Sequence, residues 1–118
     1  MCHVLVIEDE PLIAEFVADI AERAGATSVA TAMTEAEAVA AAATCLPDVI
    51  LSDVNLKRGG TGPHAVQAIC SVSGPIPVIY ITGTPEECEP CDDAVAILNK
   101  PIQAELVMAA IARAYPQC

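Results

Sequence analysis

Polar residues suited to phosphate chemistry follow apolar, strand-like runs at four places in the chain. Each stands at the end of its own run: Glu8 with Asp9, then Asp53, Thr82 and Lys100. Parallel strands bring their carboxyl ends to one edge of a sheet, so three carboxylates, a hydroxyl and an ammonium group are expected in one crevice. Clustered carboxylates repel one another, and an oxygen-only ligand set without histidine favours Mg²⁺ as the cation that relieves the repulsion. These groups together meet the needs of phosphoryl transfer.

The elements that would position these residues alternate between strand and helix. Runs rich in Val and Ile predict strands buried on both faces, and apolar stripes at helical spacing predict helices between them. The expected strands are 4–7, 27–32, 48–53, 76–82 and 94–99, and the expected helices are 11–24, 34–45, 63–72 and one that starts at Lys100-Pro101. The segment TPEECEPCDD, 84–93, has no apolar stripe and predicts a loop or a single turn. This alternation predicts an α/β fold, with helices on both faces of a parallel sheet.

Length and charge limit the possible functions. The 118 residues suit one domain, and an apolar content of 54% predicts a globular chain. The net charge of -11 disfavours binding to nucleic acid or to anionic membranes, because both carry negative charge. Cations and basic protein surfaces are the expected partners.

Cysteine usage depends on the compartment. The N-terminal apolar run is too short for a signal peptide and no segment approaches a membrane span, so we expect a cytoplasmic protein with its six cysteines mostly reduced. Cys88 and Cys91 form a C-x-x-C pair without a second pair or a nearby histidine to complete a metal site. The sequence favours an incidental thiol pair in a loop, and a reversible disulfide that reshapes the loop is the open alternative.

Four motifs, VIEDEP, VILSDVNL, VIYITG and ILNKPI, occur in order over nearly the whole length. Together they resemble the receiver domain of two-component response regulators. The resemblance implies a flavodoxin-like, five-stranded parallel sheet of order 2-1-3-4-5, here with the fourth helix short or missing. The D-x-N-L and Y-I-T-G stretches are similar to those of a divergent subgroup of stand-alone receivers related to stress signalling.

The resemblance also implies roles for the acidic residues. Asp53 would accept a phosphoryl group from the phosphohistidine of a histidine kinase. Asp9 and Asp53 would bind Mg²⁺ directly, Glu8 would act mainly through water, and the backbone carbonyl of Asn55 would be a further ligand.

Other site residues follow from the same resemblance. Lys100 would pair with the phosphoryl group or with Asp53, Thr82 would move toward the phosphoryl oxygen, and the Lys100-Pro101 bond would be cis. Receivers usually carry an aromatic switch residue where this chain has Ile97, and Tyr80 is the candidate for a related role or for ordinary core. Switch candidates are therefore Thr82, Tyr80 and Ile97.

The expected function is a stand-alone receiver, residues 1–118 without an effector domain, that catalyses only its own phosphorylation and dephosphorylation. It would signal by phosphorylation-dependent protein contact or by onward phosphotransfer, as a monomer or weak dimer. Its partners would be a sensor histidine kinase or phosphotransfer protein and a downstream protein. A phosphorylation-independent adaptor is one alternative, suggested by Ile97 and the missing helix. A magnesium-dependent phosphoester hydrolase is another, disfavoured because Asn55, not a second acid, stands two residues after Asp53.

Overall fold

The structure is a computed structural model that describes residues 1–57, 59–88, 91 and 94–116. Its strands are β1 His3–Ile7, β2 Ser28–Ala32, β3 Val49–Ser52, β4 Val78–Thr82 and β5 Ala96–Asn99. Its helices are α1 Pro11–Arg23, α2 Glu35–Thr44, α3 Gly62–Ser73 and α4 Ala104–Ala114, with a 3₁₀ turn at Pro85–Glu87. All strands run parallel, in the order β2-β1-β3-β4-β5. The predicted flavodoxin-like, doubly wound α/β fold is therefore confirmed.

The strand order reverses at β1, which pairs with β2 on one side and with β3 on the other. Strands β3 and β4 are buried at every position, and their continuous apolar runs fit because helices cover both faces of a central parallel sheet. The ends of β1 and β3 are tied together, since the backbone N–H of Asp53 donates to the carbonyl oxygen of Ile7 at 2.9 Å. This places the residues after β1 and β3 side by side at the point where ligands bind in such folds.

Two apolar cores lie on opposite faces of the sheet. One joins α1 and α4 to the sheet through Val17, Ile20, Val107 and Ile111. The other, which we call the α2/α3-side core, joins α2 and α3 to the sheet and includes Ala38, Ala42, Ala65, Ile69 and Tyr80. The small alanine side chains let α2 and α3 approach the strands closely. Across the described residues, none of the helices has the length and apolar character needed to cross a membrane.

Helix starts follow the local sequence signals. Pro11 occupies the first turn of α1, where its missing N–H costs no helical hydrogen bond. Thr34 caps α2 by accepting a hydrogen bond from the backbone N–H of Glu37 at 3.1 Å, and the Glu37 carboxylate accepts one from Met33 N–H. Thr61 caps α3 in the same way.

One expectation differs from the structure at an element boundary. The last helix begins at Ala104, not at Lys100-Pro101, and Gln103 precedes it without a side-chain cap. Its apolar stripe at Val107 and Ile111 is correct, but a stripe does not mark which residue starts the helix. In the segment between β4 and β5, the described residues hold one 3₁₀ turn, as expected, while 89, 90, 92 and 93 lie outside the described part of the chain.

The expectation that Cys88 and Cys91 are an incidental pair of thiols is wrong. The two residues are joined by a disulfide, and the chain after the 3₁₀ turn brings their Cα atoms to 5.6 Å, which is within the normal range for such a bond. A spacing of two intervening residues does not reveal from sequence whether the chain turns tightly enough for this. The expectation of mostly reduced cysteines fails for this pair.

Candidate functional site

Three carboxylates meet where β1 and β3 end. Side-chain oxygens of Glu8, Asp9 and Asp53 all lie within 4.8 Å of one another. Glu8 is only 3% exposed and Asp53 only 9% exposed, while Asp9 is half-buried. Charges packed this closely and away from water are unfavourable without a compensating cation. The predicted convergence of these acids is thus present in the geometry.

Lys100 supplies a compensating charge from the end of β5. Its Nζ lies 3.2 Å from Glu8 Oε1 and 3.1 Å from Asp53 Oδ2. Its backbone N–H donates to the carbonyl oxygen of Thr82 at 2.9 Å, which fixes the lysine beside the end of β4. The contact with Glu8 joins residues 92 positions apart and was not anticipated from the sequence.

The mutual influence of these groups appears in their pKa values. Burial, followed by the neighbouring negative charge of Asp53, raises the pKa of Glu8 from 4.5 to about 7. Burial alone would lower the pKa of Lys100, but the charges of Asp53 and Glu8 outweigh it and raise the pKa above its usual value. The ammonium group of Lys100 therefore stays charged, and burial makes ionisation of Glu8 unfavourable.

Backbone groups orient the carboxylates further. Val54 N–H donates to Asp53 Oδ1 at 2.7 Å, and Lys57 N–H donates to Asp9 Oδ2 at 2.9 Å. The Lys57 side chain forms an exposed ion pair with Glu10 at 3.4 Å. The loop after β3 thus fastens the acids that follow β1.

The Thr82 hydroxyl belongs to a small network at the end of β4. Thr82 is 1% exposed, and its Oγ1 accepts a hydrogen bond from Thr84 N–H at 3.0 Å. The two threonine hydroxyls are 3.3 Å apart. In this arrangement Thr82 bonds the chain that follows it, which is the ordinary behaviour of a threonine at a strand end. Thr82 itself ends β4 between β3 and β5, at the same edge of the sheet as the acids and Lys100.

The side chain of Asn55 connects the site to the 3₁₀ turn. Its Nδ2 donates to Thr84 Oγ1 at 3.1 Å and to Glu87 Oε1 at 2.9 Å. Thr84 and Glu87 were not anticipated as neighbours of the site. The only sequence signal was an excess of acids in the segment 84–93, and this pattern does not say which acid reaches Asn55.

The remaining candidates occupy two kinds of position. Tyr80 is 1% exposed in the α2/α3-side core, where burial raises its pKa to about 12, so it packs as an ordinary core residue. Ile97 pairs with Tyr80 in the sheet register and is 42% exposed on β5. The Lys100-Pro101 peptide bond is cis, the isomer that the resemblance implied.

The structure is a flavodoxin-like α/β domain with an acidic crevice at the carboxyl edge of its sheet, and comparison with known proteins gives the family. The family model of the response regulator receiver domain matches residues 4–112. The chain belongs to this family. Receiver domains are generally signalling domains and not enzymes.

Individual relatives are regulators called PhyR. The chain is 35% identical over 115 residues to the phyllosphere-induced regulator PhyR of Methylorubrum extorquens, covering 95% of this chain and 43% of that protein. It superposes on the receiver domain of Erythrobacter litoralis PhyR with a TM-score of 0.86 and 35% identity, covering 96% and 88% of the two chains. The anti-anti-sigma factor PhyR of Bartonella quintana gives a TM-score of 0.82 at 35% identity, over 96% of this chain and 46% of that one. The chain thus spans less than half the length of two of these relatives.

Proposed function

We propose that this domain is a phosphorylation switch in which Asp53 accepts a phosphoryl group from a histidine kinase or a phosphotransfer protein. The observation that carries the proposal is the contact of Lys100 Nζ with Asp53 Oδ2 inside a cluster of three carboxylates. An ammonium group that contacts both the Asp53 and the Glu8 carboxylates is placed to neutralise a phosphoryl group attached to Asp53. The family membership supports the same role.

The donor set fits a magnesium ion. Three carboxylates offer oxygen ligands within reach of one another, and the set contains no histidine or thiolate that would favour a softer metal. Glu8, Asp9, Asp53 and the backbone carbonyl of Asn55 would hold the ion. When bound, it supplies positive charge against the phosphoryl oxygens.

Each polar group of the crevice would have its own role in the phosphoryl transfer. The Asp53 carboxylate is the nucleophile, and Val54 N–H, 2.7 Å from Oδ1, keeps the carboxylate oriented. Lys100 moves its interaction from the carboxylates to the new phosphoryl oxygens. The Thr82 hydroxyl donates a hydrogen bond to one of those oxygens, which alters its contacts with Thr84.

The output would be a change in protein binding on the β4–β5 side of the domain. Phosphorylation adds negative charge at the crevice, and the shift of Thr82 reaches the 3₁₀ turn and β5 through Thr84. Ile97 offers an exposed apolar contact on β5. Because the Bartonella quintana relative is an anti-anti-sigma factor, we propose a downstream partner that controls a sigma factor. Residues 1–118 would act as a single receiver domain, monomeric or weakly dimeric.

The first test is the intact mass of the protein after incubation with acetyl phosphate and Mg²⁺. Wild type is expected to gain one phosphoryl group, and Asp53→Asn to gain none because the nucleophilic carboxylate is gone. Glu15→Gln, on the exposed side of α1, is the matched control and should react like wild type. No gain in folded wild type would contradict the proposal and favour a phosphorylation-independent adaptor. Multiple turnover of a generic phosphoester would instead favour the hydrolase.

A further inference from the structure

The disulfide between Cys88 and Cys91 lies where the chain passes from the 3₁₀ turn to β5. Both cysteines are half-buried and pack against the α2/α3-side core. Cys91 also lines a cavity of about 950 Å³ together with Tyr80 and the free thiol Cys70. Farther along the chain, Val95 N–H donates to the carbonyl oxygen of Val78 in β4 at 2.8 Å, which joins the segment to the sheet. The bond thus holds the end of the turn against the sheet.

The 3₁₀ turn Pro85–Glu87 also contacts the loop that follows Asp53. Glu87, the residue before Cys88, accepts a hydrogen bond from Asn55 Nδ2 at 2.9 Å. Asn55 lies two residues after Asp53. Cys88 therefore directly follows Glu87, whose side chain contacts the loop of the candidate phosphorylation site.

The turn is held at its start through Thr84, whose N–H donates to Thr82 Oγ1 and whose Oγ1 accepts from Asn55 Nδ2, and at its end by the residues up to the disulfide. It is three residues long, closed by the backbone hydrogen bonds Glu87 N–H to Thr84 and Cys88 N–H to Pro85. A single 3₁₀ turn is a weak structure by itself, so its position depends on its attachments at both ends. Glu87 is exposed, and its carboxylate is held at the crevice by the Asn55 contact.

A fixed carboxylate at this position opposes anionic phosphodonors. The crevice already carries three carboxylates, and Glu87, held by Asn55 two residues after Asp53, adds a further negative charge beside the loop of the site. Fixing like charge at the mouth of a cleft lowers the local concentration of an anionic reactant and slows its association.

We propose that Cys88 and Cys91 form a reversible redox site that sets the rate of phosphorylation of Asp53. In the disulfide form the turn holds the Glu87 carboxylate at the crevice and phosphorylation is slow. In the dithiol form the turn is released, Glu87 leaves Asn55, and phosphorylation is faster. This regulation rests on the proposed phosphorylation of Asp53.

The redox step is a thiol–disulfide exchange with a low-molecular-weight disulfide. One cysteine thiolate attacks a sulfur of R–S–S–R, which forms a mixed disulfide and releases RS⁻. The other cysteine thiolate attacks the protein sulfur of that mixed disulfide and releases the second RS⁻. Both leaving thiolates take up the protons lost by the cysteines. Two protein thiols are oxidised and one R–S–S–R is reduced to two R–SH.

The first experiment equilibrates the protein in mixtures of reduced and oxidised glutathione and then counts alkylated thiols by peptide mass. Cys88 and Cys91 are expected to change state together. Cys45→Ser, at an exposed position after α2, is the control and should leave their behaviour unchanged. A pair that stays bonded in fully reduced glutathione, or stays reduced in fully oxidised glutathione, would overturn the proposal.

The second experiment measures the rate of phosphorylation by acetyl phosphate with Mg²⁺, followed by intact mass, for the two redox forms. The dithiol form is expected to react roughly three- to tenfold faster, the size of effect that one partly screened charge produces. Cys88→Ser should match the dithiol form in either buffer. Glu87→Gln should be fast in both forms, while Glu86→Gln, an exposed acid in the same turn, should keep the redox difference.

The outcomes separate this proposal from the proposed function. Equal rates in both forms, with alkylation showing complete conversion, would overturn the redox coupling and leave phosphorylation intact. A redox difference that persists in Glu87→Gln would overturn the role of its charge. If Asp53 takes no phosphoryl group in either form, the proposed function fails and the regulation fails with it.

Discussion

At the scale of single residues, the site places opposing demands on Glu8. Its carboxyl group is almost fully buried beside Asp53, yet Lys100 Nζ lies within 3.2 Å of it. Burial and the neighbouring carboxylate outweigh the lysine, so the pKa of Glu8 rises from 4.5 to about 7. Without a bound cation, the ionised form of Glu8 therefore reduces stability near neutral pH.

This shift predicts the pH dependence of stability without magnesium. The folded state binds the Glu8 proton more tightly than the unfolded state, so the contribution of Glu8 to stability is full below pH 4.5 and is lost as pH rises through about 7. Glu8→Gln stays neutral at every pH. Its free energy of unfolding relative to wild type should rise by about 2–3 kcal/mol between pH 4.5 and 7.5. Urea unfolding of both proteins at each pH, with a metal chelator present, measures this difference in the free energy of unfolding.

Glu15→Gln, at an exposed site on α1, serves as the control for the loss of one negative charge from the whole molecule. Its stability relative to wild type should change little over the same pH range. A pH-independent difference between Glu8→Gln and wild type would show that Glu8 remains ionised when buried.

At the scale of elements, the start of α3 packs tightly against the end of β3. The backbone N–H of Gly62 donates to Val54 carbonyl oxygen at 2.8 Å. A Cβ atom at Gly62 would collide with the carbonyl oxygen of Asp53 and with Ser52 Oγ. Only glycine lets the helix begin this close to the backbone of the candidate phosphoacceptor.

Gly62→Ala is therefore expected to destabilise the fold by about 2–3 kcal/mol, because backbone and helix must move apart. It should also slow phosphorylation of Asp53, since the displaced atoms include its own carbonyl. Gly83→Ala is the matched control, because a Cβ there meets no atom within 4 Å. Urea unfolding compares the two variants, and equal stability of both would mean that α3 shifts at no cost.

The elements themselves were largely predictable from sequence. Val49 to Leu51 and Val78 to Ile81 are continuous apolar runs, and such runs predict central strands. The structure buries every one of these residues. Thr34 with Glu37 marked the start of α2. The predicted start of α4 was wrong because no capping side chain precedes Ala104. The spacing of apolar residues alone does not show at which of several neighbouring residues a helix begins.

The site was predictable as a cluster but not as a network. Each acid and Lys100 stands at the end of a strand, and parallel topology brings such ends together. The Lys100 contact with Glu8 and the Asn55 contact with Glu87 join residues 92 and 32 positions apart. These contacts depend on how side chains from different strands meet, and local patterns carry no information about that.

At the scale of the whole molecule, negative charge is in large excess. The chain has 16 acids against five bases, and the crevice concentrates three carboxylates against one ammonium group. Self-repulsion of this kind lowers stability, and a divalent cation held at the crevice should relieve it. Bound magnesium should also favour the ionised form of Glu8, because positive charge nearby opposes protonation.

Magnesium is therefore expected to stabilise the protein in proportion to its occupancy of the crevice. At a concentration ten times the dissociation constant, the gain is about 1.4 kcal/mol, which corresponds to a rise in Tm of roughly 5 °C for a domain of this size. Differential scanning fluorimetry in MgCl₂, compared with NaCl at equal ionic strength, separates binding from screening. Asp9→Asn keeps an oxygen that can accept from Lys57 N–H but loses a charged ligand, so most of the magnesium-specific rise should disappear.

The control variant Glu15→Gln removes the same amount of charge at an exposed position on α1, outside the acidic cluster, and should keep the full rise. The contrast between the two variants matters because a chain with a net charge of -11 is stabilised by any cation to some degree. If Asp9→Asn and Glu15→Gln respond equally to MgCl₂, the effect comes from the overall field and not from a site. If only Asp9→Asn loses the response, the ion acts at the crevice, and the acids that follow the first strand are its ligands.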